Sequence, residues 1–261
     1  MRPARAAVVA AGLVLAAITA PGAAAPADAS AEIAAGDAAA ARFDLPATLA
    51  AYRRAVAATP DSYEAWWKLA RTLTDDATLT PGRDEQRRVC AEAEAAARKA
   101  VSLRPDDAKG HDYLAIAVGK LALFEGGKRK VELSKEVKAE AEKALRIDPD
   151  DDLALHVLAI WNRELAELGW FLRQAAQLLY GRLPDASLDA AIADLRRAAA
   201  LRPDVIPHHV ELGITLAHAR RWAEAEAELE RGLALPTGWV TDDYYRSLAR
   251  RELPRVESHL R

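Results

Sequence analysis

Apolar residues recur along the chain at helical spacing, in Ala-rich segments that end at prolines. Five of these prolines are followed or preceded by the same pattern, and they are Pro60, Pro105, Pro149, Pro203 and Pro236. Nine residues after the first four of them stands a leucine, at Leu69, Leu114, Leu158 and Leu212. Ten residues after them stands a small residue, at Ala70, Ala115, Ala159 and Gly213. Because proline cannot continue a helix, each one predicts a turn between two helices.

Two further features recur around these turns. An aspartate that can cap the next helix follows the first four prolines, at Asp61, Asp106, Asp150 and Asp204. Six or seven residues after the same prolines come flat side chains, at Trp66 and Trp67, His111, His156 and His209. The repetition indicates that one structural unit recurs along the chain.

The pattern predicts five helical hairpins and one final helix. The hairpins are 31–42 with 46–58, 62–75 with 85–103, 107–124 with 128–147, 151–168 with 186–201, and 205–219 with 222–234. A last helix near 241–259 is predicted to cap the open end. A single hairpin cannot bury its apolar faces, whereas stacked hairpins share a continuous core. The sequence therefore predicts an all-α solenoid over residues 30–261.

These residues resemble the tetratricopeptide repeat, a helix–turn–helix unit of 34 residues. The matching positions are Gly36, Tyr52, Ala55 and Pro60, then Trp66, Leu69 and Ala70, and finally Leu212, Gly213, Trp222 and Ala225. The resemblance implies a right-handed α-solenoid. The prolines are 45, 44, 54 and 33 residues apart, so the middle units are longer than the family's repeat. The 54-residue interval contains an insertion at 169–184.

A narrower resemblance covers residues 31–236. Five segments are similar in sequence to the regulator of microtubule dynamics family. They are AWWKLAR, GHDYLAIAVGKLA, EVKAEAEKAL, ALHVLAIWNRELA and GRLPDASLDAAI. Eukaryotic members of that family are linked to microtubules and organelle contact sites, and a repeat domain of at least one is implicated in lipid binding. The Ala-rich composition and the N-terminal segment of this chain look bacterial, so the resemblance implies the fold more directly than a microtubule role.

The N-terminal residues have the pattern of a secretory signal peptide. Arg2 and Arg5 precede an uncharged apolar run, and small residues follow it. The run is shorter than the roughly 20 residues that a membrane-spanning helix needs. We predict a signal peptide at 1–29, with cleavage after Ala29 or Ala24, and an exported protein. An uncleaved N-terminal anchor is the alternative.

Composition excludes several classes of function. The chain of 261 residues has 36 basic and 39 acidic residues, a net charge of −3, which argues against a nucleic-acid partner. One cysteine excludes a disulfide framework and multi-cysteine metal sites, and Cys90 is predicted to lie in the core or to be half-buried. The six histidines lack the spacing of convergent zinc ligands, and no nucleophile or acid–base motif is present. We therefore predict no cofactor and no enzymatic activity.

In repeats of this kind the first helix of each pair lines a concave groove. Counted from the prolines, the predicted groove residues are Trp67, Arg71, Asp112, Ile116, Lys120, His156, Ile160, Arg163, Val210, Ile214 and His218. This mixed apolar and cationic surface suits an extended peptide that carries a carboxylate. The alternative is that several of these side chains pack against neighbouring helices.

The sequence thus favours a non-enzymatic scaffold of the cell envelope that binds a protein or peptide in its groove. A lipid or apolar-ligand binder is the alternative, suggested by the narrower family resemblance and by an apolar stripe in the insertion at 169–184. That stripe either covers the stacked core or gives at most a peripheral membrane contact.

Overall fold

A computed structural model of the protein describes residues 29–168 and 185–261. These residues form eleven α-helices and no strand. The helices are α1 (Ala29–Ala40), α2 (Leu45–Ala58), α3 (Tyr63–Leu79), α4 (Arg83–Leu103), α5 (Ala108–Ala122), α6 (Gly127–Ile147), α7 (Asp152–Ala166), α8 (Leu188–Leu201), α9 (Ile206–His218), α10 (Trp222–Ala234) and α11 (Asp242–Ser258). All predicted helices are present; the largest difference is α3, which extends four residues beyond its predicted end. Residues 1–28 of the predicted signal peptide and the insertion at 169–184 lie outside the described residues.

The helices stack as a solenoid. Consecutive helices pair as hairpins from α1 with α2 to α9 with α10, and each hairpin packs on the next. The first helices also contact one another in sequence from α3 through α5, α7 and α9 to α11, which makes them the inner layer. The prediction of a helical solenoid with a C-terminal capping helix is confirmed.

Pro60, Pro105, Pro149 and Pro203 stand at the second position of four-residue turns. The backbone N–H of Ser62 donates to the carbonyl of Thr59, and Asp107 and Arg104 form the equivalent bond in the next unit. In the first three of these turns the closing residue also caps the helix with its side chain, as Ser62 does by accepting from the N–H of Ala65, whereas Val205 in the fourth has no capping side chain. The prediction that the aspartates directly after the prolines are the caps is therefore wrong. Asp61, Asp106, Asp150 and Asp204 stand at the third position of the turn, and the capping residue comes one position later.

The flat side chains that recur six residues after the prolines close the same turns. Trp66 Nε1 donates to the carbonyl oxygen of Pro60 at 2.8 Å. His111 Nε2 and His209 Nε2 lie 2.9 Å and 3.1 Å from the carbonyl oxygens of their own prolines. Since a carbonyl only accepts, these nitrogens carry the proton. The repeated position is thus a structural hydrogen bond that ties the helix to the turn before it.

The recurring leucines and small residues fill the core between the helices. Leu69, Leu114 and Leu212 are buried, whereas Leu158 is half-buried and packs against the same core. Two apolar clusters follow each other along the stack, the first from Ile33 to Leu165 and the second from Ala159 to Val256. Cys90 lies in the first cluster, where burial raises the pKa of its thiol.

We expect Gly213→Ala to destabilise the protein by about 1–3 kcal/mol, because a Cβ at this position overpacks the core. That Cβ would lie 2.7 Å from Cγ of Leu229, a fully buried side chain, and 3.1 Å from the carbonyl oxygen of Ala225. Gly119→Ala is the matched control, because its Cβ would meet only Val137, at 3.5 Å. Urea unfolding followed by circular dichroism measures both. The control is expected to be neutral or stabilised by up to about 1 kcal/mol, and equal effects at both sites would contradict the packing argument.

Candidate functional site

The inner layer carries the predicted groove residues, but at different depths. The residues eleven positions after each proline are half-buried, at Arg71, Ile116, Ile160 and Ile214. Lys120 is also half-buried, and His218 is exposed and paired with Glu167. Three isoleucines and two cations of the inner layer, on the face predicted to be concave, are therefore partly accessible, and Ile116 and Ile214 also pack against the core.

The residues seven positions after each proline lie deeper. Trp67 is half-buried and stacks on Tyr113 of the next unit, with ring centroids 6.0 Å apart. Asp112, His156 and Val210 are all buried, with Asp112 and Val210 at 0% exposure. The prediction of groove exposure is wrong for these three, because this row lies between neighbouring helices.

Arg163 is also buried, and it pairs across two units. Its Nη1 donates to Glu211 Oε2 at 2.6 Å and to Thr215 Oγ1 at 3.1 Å. Arg163 is 7% exposed and Glu211 is 9% exposed. The arginine that the sequence placed on the groove surface is therefore an internal link between α7 and α9.

His156 contributes a second internal link between α7 and α9. Its Nδ1 lies 2.9 Å from Nδ1 of His208, and Nε2 of His208 lies 2.8 Å from Asp152. Burial lowers the pKa of His156 well below its ordinary value, and His208 and Arg163 lower it further. His156 is therefore neutral at physiological pH. Within residues 29–168 and 185–261, the His, Cys, Asp and Glu side chains form no group of three that could hold a metal ion.

A loop near the C-terminus reaches into the concave face. The Trp239 loop (residues 235–241) connects α10 to α11, and its indole Nε1 donates to Asp75 Oδ2 at 3.0 Å. The guanidinium of Arg71 lies 4.7 Å from the centroid of the Trp239 ring and 5.4 Å from that of Trp67. Arg71 thus contacts one aromatic ring of its own helix and one of the loop before the last helix.

Burial shifts the ionisation of the charged groups around this contact. It raises the pKa of Asp75 to about 7, against the hydrogen bond from Trp239 and the nearby charges of Arg71 and Lys120. Burial also lowers the pKa of Lys120, whose ammonium donates to Thr78 Oγ1 at 2.7 Å. These shifts mark the concave face as a place where charge is held away from water.

Two buried polar atoms of this face have no hydrogen-bond partner among the described residues, and they are Arg71 Nε and Asp112 Oδ1. Burial raises the pKa of Asp112 well above its ordinary value, and the neighbouring carboxylate of Asp151 raises it further. Lys109 bridges the two carboxyl groups, at 3.3 Å from Asp112 and 3.2 Å from Asp151. Because Asp112 is fully buried and Arg71 only half-buried, Arg71 Nε is the one of these two atoms that is left for a bound group.

Sequence reasoning missed Asp75, Glu211 and Trp239. Asp75 stands fifteen residues after Pro60, the same offset at which Lys120 and His218 were predicted, so the count from the prolines could have found it. Glu211 stands eight residues after Pro203, an offset that the count did not include. The one signal for Trp239 was its type and place, since a tryptophan follows Pro236 and Gly238 in a predicted break between helices.

The fold is similar to those of solved tetratricopeptide repeat proteins. A thermophilic protein of this type from Thermus thermophilus aligns with a TM-score of 0.62 at 19% identity, covering 84% of this chain and 98% of that one. PilW, a type IV pilus biogenesis factor, aligns with a TM-score of 0.52 at 17% identity over 89% of this chain and 91% of its own. At these identities the likeness shows the α-solenoid fold. The helices within the described ranges all lack the long apolar stretch that a membrane span requires.

The sequence matches relatives of one family. Regulator of microtubule dynamics protein 1 of Bos taurus is 29% identical over 142 residues, which are 54% of this chain and 45% of the bovine protein. The protein of the same name from Caenorhabditis elegans is 26% identical over 176 residues, 67% of this chain and 77% of its own length. The chain thus spans less than half the length of the bovine relative that it matches. The family model for regulator of microtubule dynamics protein 1-3 matches residues 35–254, and the chain belongs to this family.

Proposed function

We propose that the protein is a scaffold that binds a protein or peptide along the concave face of its solenoid. The observation that carries this proposal is the half-buried row of Ile116, Ile160 and Ile214, flanked by the cations Arg71 and Lys120. Isoleucines at regular spacing offer apolar contacts to the side chains of an extended peptide. The cations can bind its carboxylates through charge-assisted hydrogen bonds.

The unpartnered nitrogen of Arg71 supports the same proposal. Arg71 Nε can donate to a peptide carbonyl oxygen. A buried polar atom without a partner is rare in folded proteins, so its presence on the inner layer favours a ligand that completes it.

We also propose that the protein acts in the cell envelope. The support is the signal-peptide pattern at residues 1–29. Mass spectrometry of the protein recovered from the cytoplasm, the envelope and the medium tests the proposed export. Cleavage after Ala29 or Ala24 shortens the chain by a defined mass. Recovery of the full-length chain from the cytoplasm alone would contradict it.

The groove is tested with peptides selected from a random library against the purified protein. We expect Ile160→Glu to weaken binding of the selected peptides by roughly tenfold or more, because a carboxylate is placed in the apolar row. Ile147→Glu is the matched control, since Ile147 is 40% exposed at the end of α6, away from the inner layer. Fluorescence anisotropy measures both affinities.

Two outcomes would contradict the scaffold proposal. One is a set of selected peptides that bind both variants as tightly as the unmodified protein. The other is a stoichiometric lipid in the mass spectrum of material extracted from the purified protein, with no peptide selected; this would favour the apolar-ligand binder.

A further inference from the structure

The Trp239 loop fills one place on the concave face with a side chain of the chain itself. The indole of Trp239 forms one wall of a recess whose other walls come from α3 and from the first hairpin, including Ala40, Phe43, Leu45 and Thr48. Asp75 accepts the indole N–H, and Arg71 covers the ring. The two residues of the hydrogen bond are 164 positions apart, so this contact joins the second hairpin to the loop before the last helix.

The loop holds its own shape without the recess. Asp242 Oδ2 accepts from the backbone N–H groups of Gly238 and Trp239, at 2.7 Å and 2.8 Å. Arg246 donates to the hydroxyl of Thr237 and to the carbonyl of Leu235, both at 2.8 Å. Side chains of α11 therefore bind two N–H groups and one carbonyl of the loop, whereas its hydrogen bond to α3 is made by the Trp239 side chain.

A side chain anchored this way can be exchanged. One hydrogen bond and one cation–π contact join Trp239 to α3, and neither involves the backbone of the loop. The recess is selective, because an acceptor at its rim suits the N–H of an indole and a guanidinium suits its face. A phenylalanine would leave Asp75 without that donor.

Resting on the proposed peptide-binding function, we propose that this recess is an indole subsite of the groove. In the free protein Trp239 makes the contacts with Asp75 and Arg71 at this recess, and a tryptophan side chain of the partner peptide takes its place. Arg71 Nε, which has no partner among the described residues, then donates to a carbonyl of the peptide. The Trp239 loop is in this way an internal competitor of the partner.

The internal position gives Trp239 an advantage over a free peptide. A tethered group acts at an effective concentration in the millimolar range, so a peptide of equal intrinsic affinity binds the unmodified protein weakly. Removing the indole frees the recess and restores the intrinsic affinity.

The test uses a fluorescein-labelled peptide with the sequence LPTGWVTD, which copies residues 235–242. We expect the peptide to bind Trp239→Ala at least about tenfold more tightly than the unmodified protein, because the competitor is gone. The double variant Trp239→Ala/Asp75→Ala, and the same peptide with alanine in place of tryptophan, are expected to lose this gain. Anisotropy titrations give the affinities, and circular dichroism checks that each variant is helical.

Trp239→Phe keeps an aromatic ring at the recess while removing the donor to Asp75. It replaces Trp239→Ala in the binding test if Trp239→Ala does not fold. We expect an affinity for the peptide between those of the unmodified protein and Trp239→Ala. Equal, weak binding of the peptide to the unmodified protein and to the folded variants would overturn the inference. The proposed function would survive that result if library peptides remained sensitive to Ile160→Glu, so the two failures are distinguishable.

Discussion

Replacing Arg163 with alanine is expected to destabilise the protein by about 3–5 kcal/mol, because it leaves a buried carboxylate without its partner. Glu211 is 9% exposed, and its Oε2 accepts from Arg163 Nη1 at 2.6 Å. Thr215 cannot substitute for the guanidinium, because its hydroxyl already donates to the carbonyl of Glu211. Urea unfolding at pH 7, followed by circular dichroism, measures the loss.

Two further variants separate the buried pair from ion pairs in general. The double variant Arg163→Met/Glu211→Leu is expected to lose much less than Arg163→Ala, since it removes both charges together. Arg98→Ala breaks the pairing of a 46% exposed arginine with Glu94 and Glu136, and is expected to cost less than about 1 kcal/mol. Similar losses for Arg163→Ala and Arg98→Ala would contradict the argument.

The burial of Arg163 affects how variants of the predicted groove residues are interpreted. The offset from the prolines placed Arg163 among the groove cations, where its removal would test partner binding. Its burial between α7 and α9 means that lost binding on Arg163→Ala would report unfolding as readily as a missing contact. Ile160, one turn earlier on the same helix and half-buried, gives a cleaner test.

The hairpins were predictable because their signals are local. A proline fixes the turn, and the leucine nine residues later enters the core at a constant helical angle, as Leu69, Leu114 and Leu212 do. The caps were predicted one residue too early, because the order of residues within a turn depends on which hydrogen bond closes it. Thr59 and Ser62 make that bond here, and it leaves Ser62 as the cap.

The candidate site was predictable only in part, because its depth depends on how closely neighbouring units approach. Ile116 and Asp112 are four residues apart on one helix, yet the first is half-buried and the second fully buried. The distance between adjacent helices decides which row of side chains is covered, and the periodicity of residues within one helix gives no information about that distance. The contact of Trp239 with Asp75 is still harder to predict from the sequence, because it depends on how the helices between them stack.

Asp75→Asn is expected to change the pH dependence of the protein's stability. The pKa of Asp75 is raised from 3.8 to about 7 in the folded protein, chiefly by burial. A group with a raised folded pKa adds stability that is fully present below its unfolded pKa and is lost as the pH rises through the folded value. Between pH 4 and pH 8 the unmodified protein should therefore lose up to about 4 kcal/mol relative to Asp75→Asn, at about 1.4 kcal/mol per pKa unit.

Asparagine is the informative replacement because its side-chain oxygen still accepts the indole N–H of Trp239, while the charge facing Arg71, Lys120 and Asp242 is removed. Urea unfolding of both proteins at several pH values gives the difference in free energy, and in that difference the titration of groups common to both largely cancels. Asp61→Asn is the matched control, since the Asp61 side chain is 87% exposed. A pH-independent difference between Asp75→Asn and the unmodified protein would show that Asp75 ionises normally. The recess under Trp239 would then hold a carboxylate at neutral pH without an energetic penalty, and a partner's indole would meet a fully charged acceptor there.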